Sequence, residues 1–504
     1  MKKYRGVIVR ALLAVFLLIC LVLPASIAYA ETPVSVDSIA GGVAADGIGS
    51  PFQHHSFIYD GTHWVLIYDS GSSSVLAYYS DDGLTWTPLM PGLFGYNSST
   101  MTASETKGGQ FDTWLERDGN VVHIAYVNIS ANNSDILYAS YTVAGHTLTK
   151  VGLLPWNTAV AGVANVSYRN PTICVNNNDS VFLTYGYVQN SVSDVYVMTT
   201  NNSSAAIWLP EVGFPMYNLS SVARPNKYGS VIPLFTSTTN VSVQYAAYNG
   251  SVYKIEQTAI YWNGTAWVQG ANYGIDTSAW YLKTDFEWNY NAVSIHTDIN
   301  ENDVAIQCGQ TDGAAYRTFF NRRGNESDTW AATYAKNFGE GDYEFQYVGA
   351  MGIRSSAHNL VWSGWDMEGL SEHVYSADFN KVTGNWTGPA VIYNNADIPM
   401  VSTMATYFWD FEGDGEQGFI YGTDTSDIVM YGLYGPAAVA SAVPASVTAM
   451  AWIVLLVFGA LICIVLLAYG ASEAVKGGGT EFLKMALIGF ITLIIAATIV
   501  ATML

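Results

Sequence analysis

Positive charge is scarce in this chain: 20 lysines and arginines stand against 41 aspartates and glutamates, a formal net charge of -21. So acidic a surface repels phosphates and argues against nucleic acid as a partner. Cysteine is rarer still, with 4 in 504 residues. Cys20 lies in the apolar leader and Cys463 in a C-terminal apolar run, which leaves Cys174 and Cys308 as the pair outside. They fall in repeat units that are not neighbours, so free buried thiols are expected and a disulfide scaffold is excluded. No HExxH motif and no Cys/His cluster offers a metal site. Extended helical periodicity is also missing from the central part of the chain. Short β-branched and aromatic runs punctuated by Asx-Gly turns take its place, which is an all-β pattern.

Both ends are apolar for different reasons. Residues 1–30 combine Lys2, Lys3, Arg5 and Arg10 with the apolar stretch Ala11 to Leu23 and a small-residue ending at Ala30, the layout of a secretory signal peptide. Residues 31–435 form the expected extracellular region and 436–446 a small-residue linker. Residues 447–469 and 485–504 are each long and apolar enough for a transmembrane helix, joined by the short polar loop 470–484. Lys476 and Lys484 in that loop agree with a cytoplasmic position. Small residues at Gly459, Ala460, Gly489, Ala496 and Ala497 would let the helices pack closely, a route to an oligomer. The protein is therefore expected to be exported and integral to a cell or viral membrane. Thirteen Asn-x-Ser/Thr sequons, at Asn97, Asn128, Asn132, Asn165, Asn178, Asn201, Asn202, Asn218, Asn240, Asn249, Asn263, Asn325 and Asn385, all lie in the outer region, as a surface glycoprotein requires.

The stretch Phe57 to Trp86 reads as four short strands, and the remaining ectodomain repeats it. Apolar strands start near Trp64, Val121, Val181, Val231, Val304, Leu360 and Phe419, at spacings of 57, 60, 50, 73, 56 and 59 residues. Seven units of this period point to a β-propeller of seven four-stranded blades, with six as the alternative count. Taken as the first strand of each unit, these runs are followed in phase by second strands such as VLAYY and VQYAAY. Trp86, Trp208, Trp330 and Trp386 recur after a polar turn and are expected between adjacent sheets. The seventh unit lacks a fourth strand, and the N-terminal segment Val34 to Ile39 can supply it, pairing both ends of the chain and removing exposed edges.

Ser80-Asp81-Asp82-Gly83-Leu84-Thr85-Trp86 resembles the Asp-box of sialidase-like propellers, with one residue fewer between Ser and Gly. In that superfamily the motif shapes a hairpin and is not catalytic, so the resemblance implies fold more than activity. Sialidases hold the substrate carboxylate with three arginines, two of which Arg169 and Arg224 could imitate. No arginine lies between Arg10 and Arg117, so the arginine of the first blade is missing and sialidase activity is disfavoured.

Loops leading into the innermost strands line one mouth of a propeller channel. Upstream of the first turns they bring His54, His55, Asp112, Trp114, Arg169, Arg224, Glu287, Trp288, Glu344 and Trp409. Trp114, Trp288, Arg169 and Arg224 are the expected ligand-binding set, since sugars stack on rings and bond to planar polar groups. Hydrolysis needs two carboxylates, and Asp112, Glu287 and Glu344 are the candidates. His54 and His55 should point to opposite faces of a strand. No cofactor is implied except calcium: Asp410, Glu412 and Asp414 follow the spacing of a calcium loop, but Gly418 stands where a ninth-position acid is expected, so a plain acidic turn is the simpler reading. The function these features suggest is recognition or attachment through glycans or surface glycoproteins. A polysaccharide-active hydrolase or lyase is the enzymatic alternative, and a structural coat or virion envelope subunit is the third.

Overall fold

The computed structural model describes most of residues 53–275 and, outside that range, the strands named below and the turn at 383–384. The chain divides into two compact units, residues 28–436, which hold the described strands, and residues 1–27 with 437–504. The transmembrane-helix expectations and residues 1–27 of the expected signal peptide fall on the second unit, outside the described residues, while the last two residues of that peptide, Tyr29–Ala30, are described as a strand. Among the described residues no helix is long and apolar enough to cross a membrane.

The described strands form seven antiparallel sheets. The first contains Ser56–Tyr59, Thr62–Asp69, Ser74–Ser80 and Thr87–Gly95. The second contains Phe111–Leu115, Val121–Ser130 and Asn133–Ala144, edged by Thr147–Lys150 and Asn157–Val160. Ser167–Val175, Val181–Gln189 and Val192–Thr200 make the third. The fourth runs Lys227–Pro233, Val241–Tyr248, Tyr253–Trp262 and Trp267–Gln269, with Tyr273–Gly274 beside the third strand. In the fifth, Tyr281–Leu282 and Ser294–Thr297 both pair with Val304–Thr311, followed by Tyr316–Arg323 and Lys336–Phe338. The sixth likewise has Tyr343–Glu344 and Met351–Ile353 against Ala357–Asp366, then Ser371–Asn380 and Asn385–Asn395. The seventh runs Val401–Ala405, Gln417–Thr423 and Ile428–Gly435, and its outer edge is completed by the N-terminal strands Tyr29–Ala30 and Val34–Ser38.

Local chemistry explains these elements. Asp60 and Gly61 both adopt positive φ, 50° and 73°, the two-residue hairpin turn that Asp-Gly favours because its twist matches that of the flanking strands. The run Thr62 to Tyr68 is buried without interruption, as expected for a strand covered on both faces. Three apolar clusters supply the covers. One joins the first and second sheets through Trp64, Leu66, Phe111 and Tyr126, and another joins the second, third and fourth through Tyr138, Tyr185 and Tyr245. The third brings Ile420 and Tyr431 of the last sheet onto Ile58, Val65 and Ile67 of the first. Trp86 packs 4.7 Å from Tyr431 and Trp208 5.3 Å from Tyr138, so both lie between neighbouring sheets. Trp386 meets Phe379 of its own sheet, and Trp330 lies outside the described residues.

Two sequence expectations change. The runs taken as first strands are second strands in six sheets, because each is preceded by an inner strand. Val231 is the exception: it belongs to the inner strand of the fourth sheet, whose second strand starts at Val241. Spacings measured to Val241 become 60 from Val181 and 63 to Val304, in place of 50 and 73. Val231 and Val241 are both fully buried, so apolar character alone does not rank these strands. The expected chain closure is observed, with Val34 opposite Tyr431 and Ser38 opposite Ile428.

The turn after the third strand of the first sheet is organised by Asp82. Its Oδ1 accepts the Leu84 and Thr85 backbone N–H groups, each at 2.8 Å, and the Ser80 hydroxyl at 2.9 Å. The Thr85 and Leu84 amides, in that order, hold the carboxyl below its ordinary pKa. Asp82→Ala is expected to cost about 0.5–1 kcal/mol at neutral pH, a small value because the site is exposed. A group with a depressed folded pKa loses its contribution as pH falls through that pKa. The urea midpoints of Asp82→Ala and the parent should therefore converge near pH 2.

Candidate functional site

The segment Gln53 to His55 enters the first sheet and is tied down by its neighbours. The Gln53 side-chain amide donates to the Pro171 carbonyl at 2.9 Å. The His54 carbonyl accepts the Thr113 N–H at 3.0 Å and the Thr113 hydroxyl at 2.8 Å. Asp112 then acts as a bracket. Its Oδ1 accepts the His54 backbone N–H at 2.5 Å and lies 2.7 Å from His54 Nδ1, while Oδ2 accepts the Ile173 N–H at 2.6 Å. Backbone amides only donate, so both carboxylate oxygens accept, and a proton on His54 Nδ1 completes the set. One carboxylate with no solvent exposure thus joins the strand at 111–115 to the inner strand of the third sheet and to the entry of the first.

The surroundings are closed. Trp114 is 4% exposed, with its ring 5.8 Å from His54 in an edge contact, so protein covers both faces. Both histidines precede the strand at Ser56, and their rings meet side chains that alternate across the 111–115 strand, His54 against Asp112 and Trp114 and His55 against Phe111. The His55 ring lies 3.9 Å from that of Phe111, and neither of its nitrogens has a hydrogen-bond partner within normal geometry. Burial lowers its pKa to about 3; the backbone at Phe111 opposes the shift, the His54 charge adds to it, and the backbone at Leu66 opposes it. Cys174, a free buried thiol as expected, has its pKa pushed well up by burial and by the Asp112 charge.

A more open constellation lies on the third sheet. Arg169 is half-buried near the start of the inner strand, opposite Gly186. On the neighbouring positions Tyr187 and Tyr196 stack in parallel, 4.8 Å apart at 2°, and the Tyr187 hydroxyl donates to Gln189 Oε1 at 2.9 Å. Both rings are half-buried. Antiparallel order puts the start of the inner strand and the turn after Gln189 at the same end of the sheet, with the aromatic pair and the amide on one face and Arg169, which shares the face of Gly186, on the other. Burial, then Tyr187 and Asp135, raises the Tyr168 pKa, so that phenol stays protonated.

Glu344 lies in the short strand Tyr343–Glu344, opposite Trp365. Arg224, Glu287, Trp288, Asp410, Glu412 and Asp414 lie outside the described residues. The structure therefore joins Asp112 and Trp114 through His54, and links Asp112 through Ile173 to the strand that bears Arg169. No group of three or more metal-ligating side chains occurs among the described residues. Of the sequons, Asn165, Asn178, Asn263 and Asn385 are exposed, Asn128 and Asn240 are half-buried, and the others lie outside the described residues.

Sequence reasoning missed a buried relay in the second sheet. His123 Nδ1 lies 2.6 Å from the Tyr138 hydroxyl, and its Nε2 lies 2.9 Å from Glu116 Oε1. Alternation in VVHIAY marks His123 as sharing a face with Ala125, and Tyr138 sits opposite Ala125. That was the available signal.

Radially packed antiparallel sheets with the chain ends paired define a β-propeller. No family model and no curated protein sequence matches this chain. Solved structures resemble it in fold. A polysaccharide lyase, the PL25 ulvan lyase bound to -[GlcA(1-4)Rha3S]-, aligns with a TM-score of 0.50 at 11% identity, over 80% of this chain and 96% of the lyase. The polysaccharide lyase Uly1 aligns with a TM-score of 0.43 at 8% identity, over 81% of this chain and 99% of that one. The GH93 α-L-arabinofuranosidase of Fusarium graminearum, in complex with arabinobiose, aligns with a TM-score of 0.40 at 11% identity, over 70% and 99%.

Proposed function

We propose that this propeller acts on polysaccharides, with seven blades, an Asp-box-like turn at Ser80 to Trp86, and a C-terminal helical hairpin holding it in a membrane after export. The observation that carries the reading is one end of the third sheet, with Tyr187, Tyr196 and Gln189 on one face and Arg169 on the other, on a fold that spans nearly the whole length of a polysaccharide lyase. Stacked rings and planar donors suit a sugar chain. β-Elimination fits the described residues better than hydrolysis. Hydrolysis needs two carboxylates beside the bond, and of the three candidates Asp112 is sealed and engaged by three donors. A lyase instead needs a cation to neutralise a uronate carboxylate and a base to take the proton next to it, after which the glycosidic oxygen leaves. Arg169 is the cation in this reading. An enzyme of this kind makes glycan binding a step of turnover rather than the end function.

The test offers purified protein a panel of uronate-containing and neutral polysaccharides and follows the ultraviolet absorbance of unsaturated uronate together with new reducing ends. Absorbance and reducing ends should rise together on an anionic substrate. Arg169→Ala should lower turnover by about 100-fold or more with its unfolding midpoint retained. Reducing ends without absorbance would mean hydrolysis. Glycan binding without either product would favour recognition, and the proposal would fall. Extraction of the full chain by alkaline carbonate would sink the membrane anchor.

A further inference from the structure

Trp262 ends the third strand of the fourth sheet and Trp267 begins the fourth; they pair across the hairpin with ring centroids 5.8 Å apart. Trp267 is the anchor, edge-on to Phe182 at 5.3 Å and to Phe214 at 5.8 Å. Trp262 stands against it with 43% of its surface exposed, a large apolar ring held in a fixed pose in solvent. The intervening turn is Asn263-Gly264-Thr265-Ala266, so a sequon begins immediately after the exposed ring. Gly264, at φ +97°, makes the turn feasible.

Asn263 is poised for modification. Its Oδ1 accepts the Thr265 N–H at 3.0 Å, the Thr265 hydroxyl at 2.9 Å and the Ala266 N–H at 2.9 Å. Three donors on Oδ1 orient the amide so that Nδ2 points away from the turn, and the residue is exposed. Among the described residues the other exposed sequons lack this setting. The residue after Asn165 is buried, Asn178 sits in a polar turn, and Trp386 beside Asn385 is packed against Phe379.

We infer that Asn263 carries an N-linked glycan whose first pyranose lies over the face of Trp262. The inference rests on the export reading above. In the modification, Nδ2 attacks the anomeric carbon of a lipid-phosphate-linked oligosaccharide. The new N–C bond replaces the C–O bond to phosphate, the lipid phosphate leaves, and one amide proton passes to a base of the transferase. The C–H face of a pyranose stacks on indole, and covering Trp262 removes the reason such a ring is costly to expose.

The full chain, made in a cell that N-glycosylates exported proteins, tests this by glycopeptide mass spectrometry and hydroxyl-radical footprinting. The expected result is an occupied Asn263 and a Trp262 oxidised several-fold faster after enzymatic deglycosylation, with the rate at Tyr273, itself 52% exposed, unchanged. An occupied Asn263 with no change at Trp262 overturns the stacking. A bare Asn263 beside occupied Asn178 or Asn385 overturns the inference alone and leaves the export reading standing. If every sequon is bare, both fail. Protection of Trp262 by added polysaccharide while Asn263 is bare would make the patch a polysaccharide subsite and overturn the inference.

Discussion

Asp112→Ala is expected to destabilise the propeller by about 3–5 kcal/mol, the loss associated with breaking a buried charged bracket. The substitution removes the acceptor for two backbone amides, at His54 and Ile173, and for the His54 ring. All three donors would stay buried, each unsatisfied amide costing about 1–3 kcal/mol. Asp112→Asn keeps the shape but turns one oxygen into an NH2 that faces a donor, so it should recover only part of the loss. Denaturant midpoints of both variants check this, and hydrogen exchange at the Ile173 amide should accelerate in each. A loss under about 1 kcal/mol for the alanine variant would mean the bracket is dispensable. Because the inner strands of two sheets and the entry of a third meet on this carboxylate, the effect should spread beyond the second sheet.

The second large effect is acid destabilisation through His55. Its folded pKa is about 3, against an ordinary value of 6.5, with burial as the main cause. As pH falls below the ordinary value, the unfolded chain gains a proton that the folded chain refuses, so stability drops on going to acid. The slope is about 1.4 kcal/mol per pH unit, and the total approaches 4–5 kcal/mol (roughly 1.4 times the 3.5-unit difference) once the lower pKa is reached. Asp82 also weakens the fold in acid, but only below the ordinary range of a carboxylate, so it does not contribute from about pH 6 to pH 4.5. In that interval His55→Leu should flatten the dependence of unfolding free energy on pH by one proton. A slope unchanged by this substitution would show that His55 is not the responsible group.

Much of the architecture was legible in the primary structure because strands advertise themselves by alternation, turns by Asx-Gly, and repeats by period. The Asp60-Gly61 hairpin, the Trp86 and Trp208 wedges and the closing strand at Val34 follow from such signals. The phase of the repeat was harder to read. Sheets stacked face to face bury their strands on both sides, so an inner strand such as 227–233 and a second strand such as 241–248 show the same apolar character. Only pairing order separates them.

The site divides in the same way. The sequence placed His54, Asp112 and Trp114 in segments that lead into inner strands. It could not tell that Asp112 would be covered and spent on amides from two other segments, 58 and 61 residues away. Nor could it show that Tyr187 and Tyr196 stack, or that Trp262 stays exposed while Trp267 is anchored. Composition and local periodicity determine which residues can form a strand or turn, since those preferences act over a few residues. Which polar group is sealed and which ring meets solvent depends on neighbours distant in the chain, and the tertiary structure alone decides that.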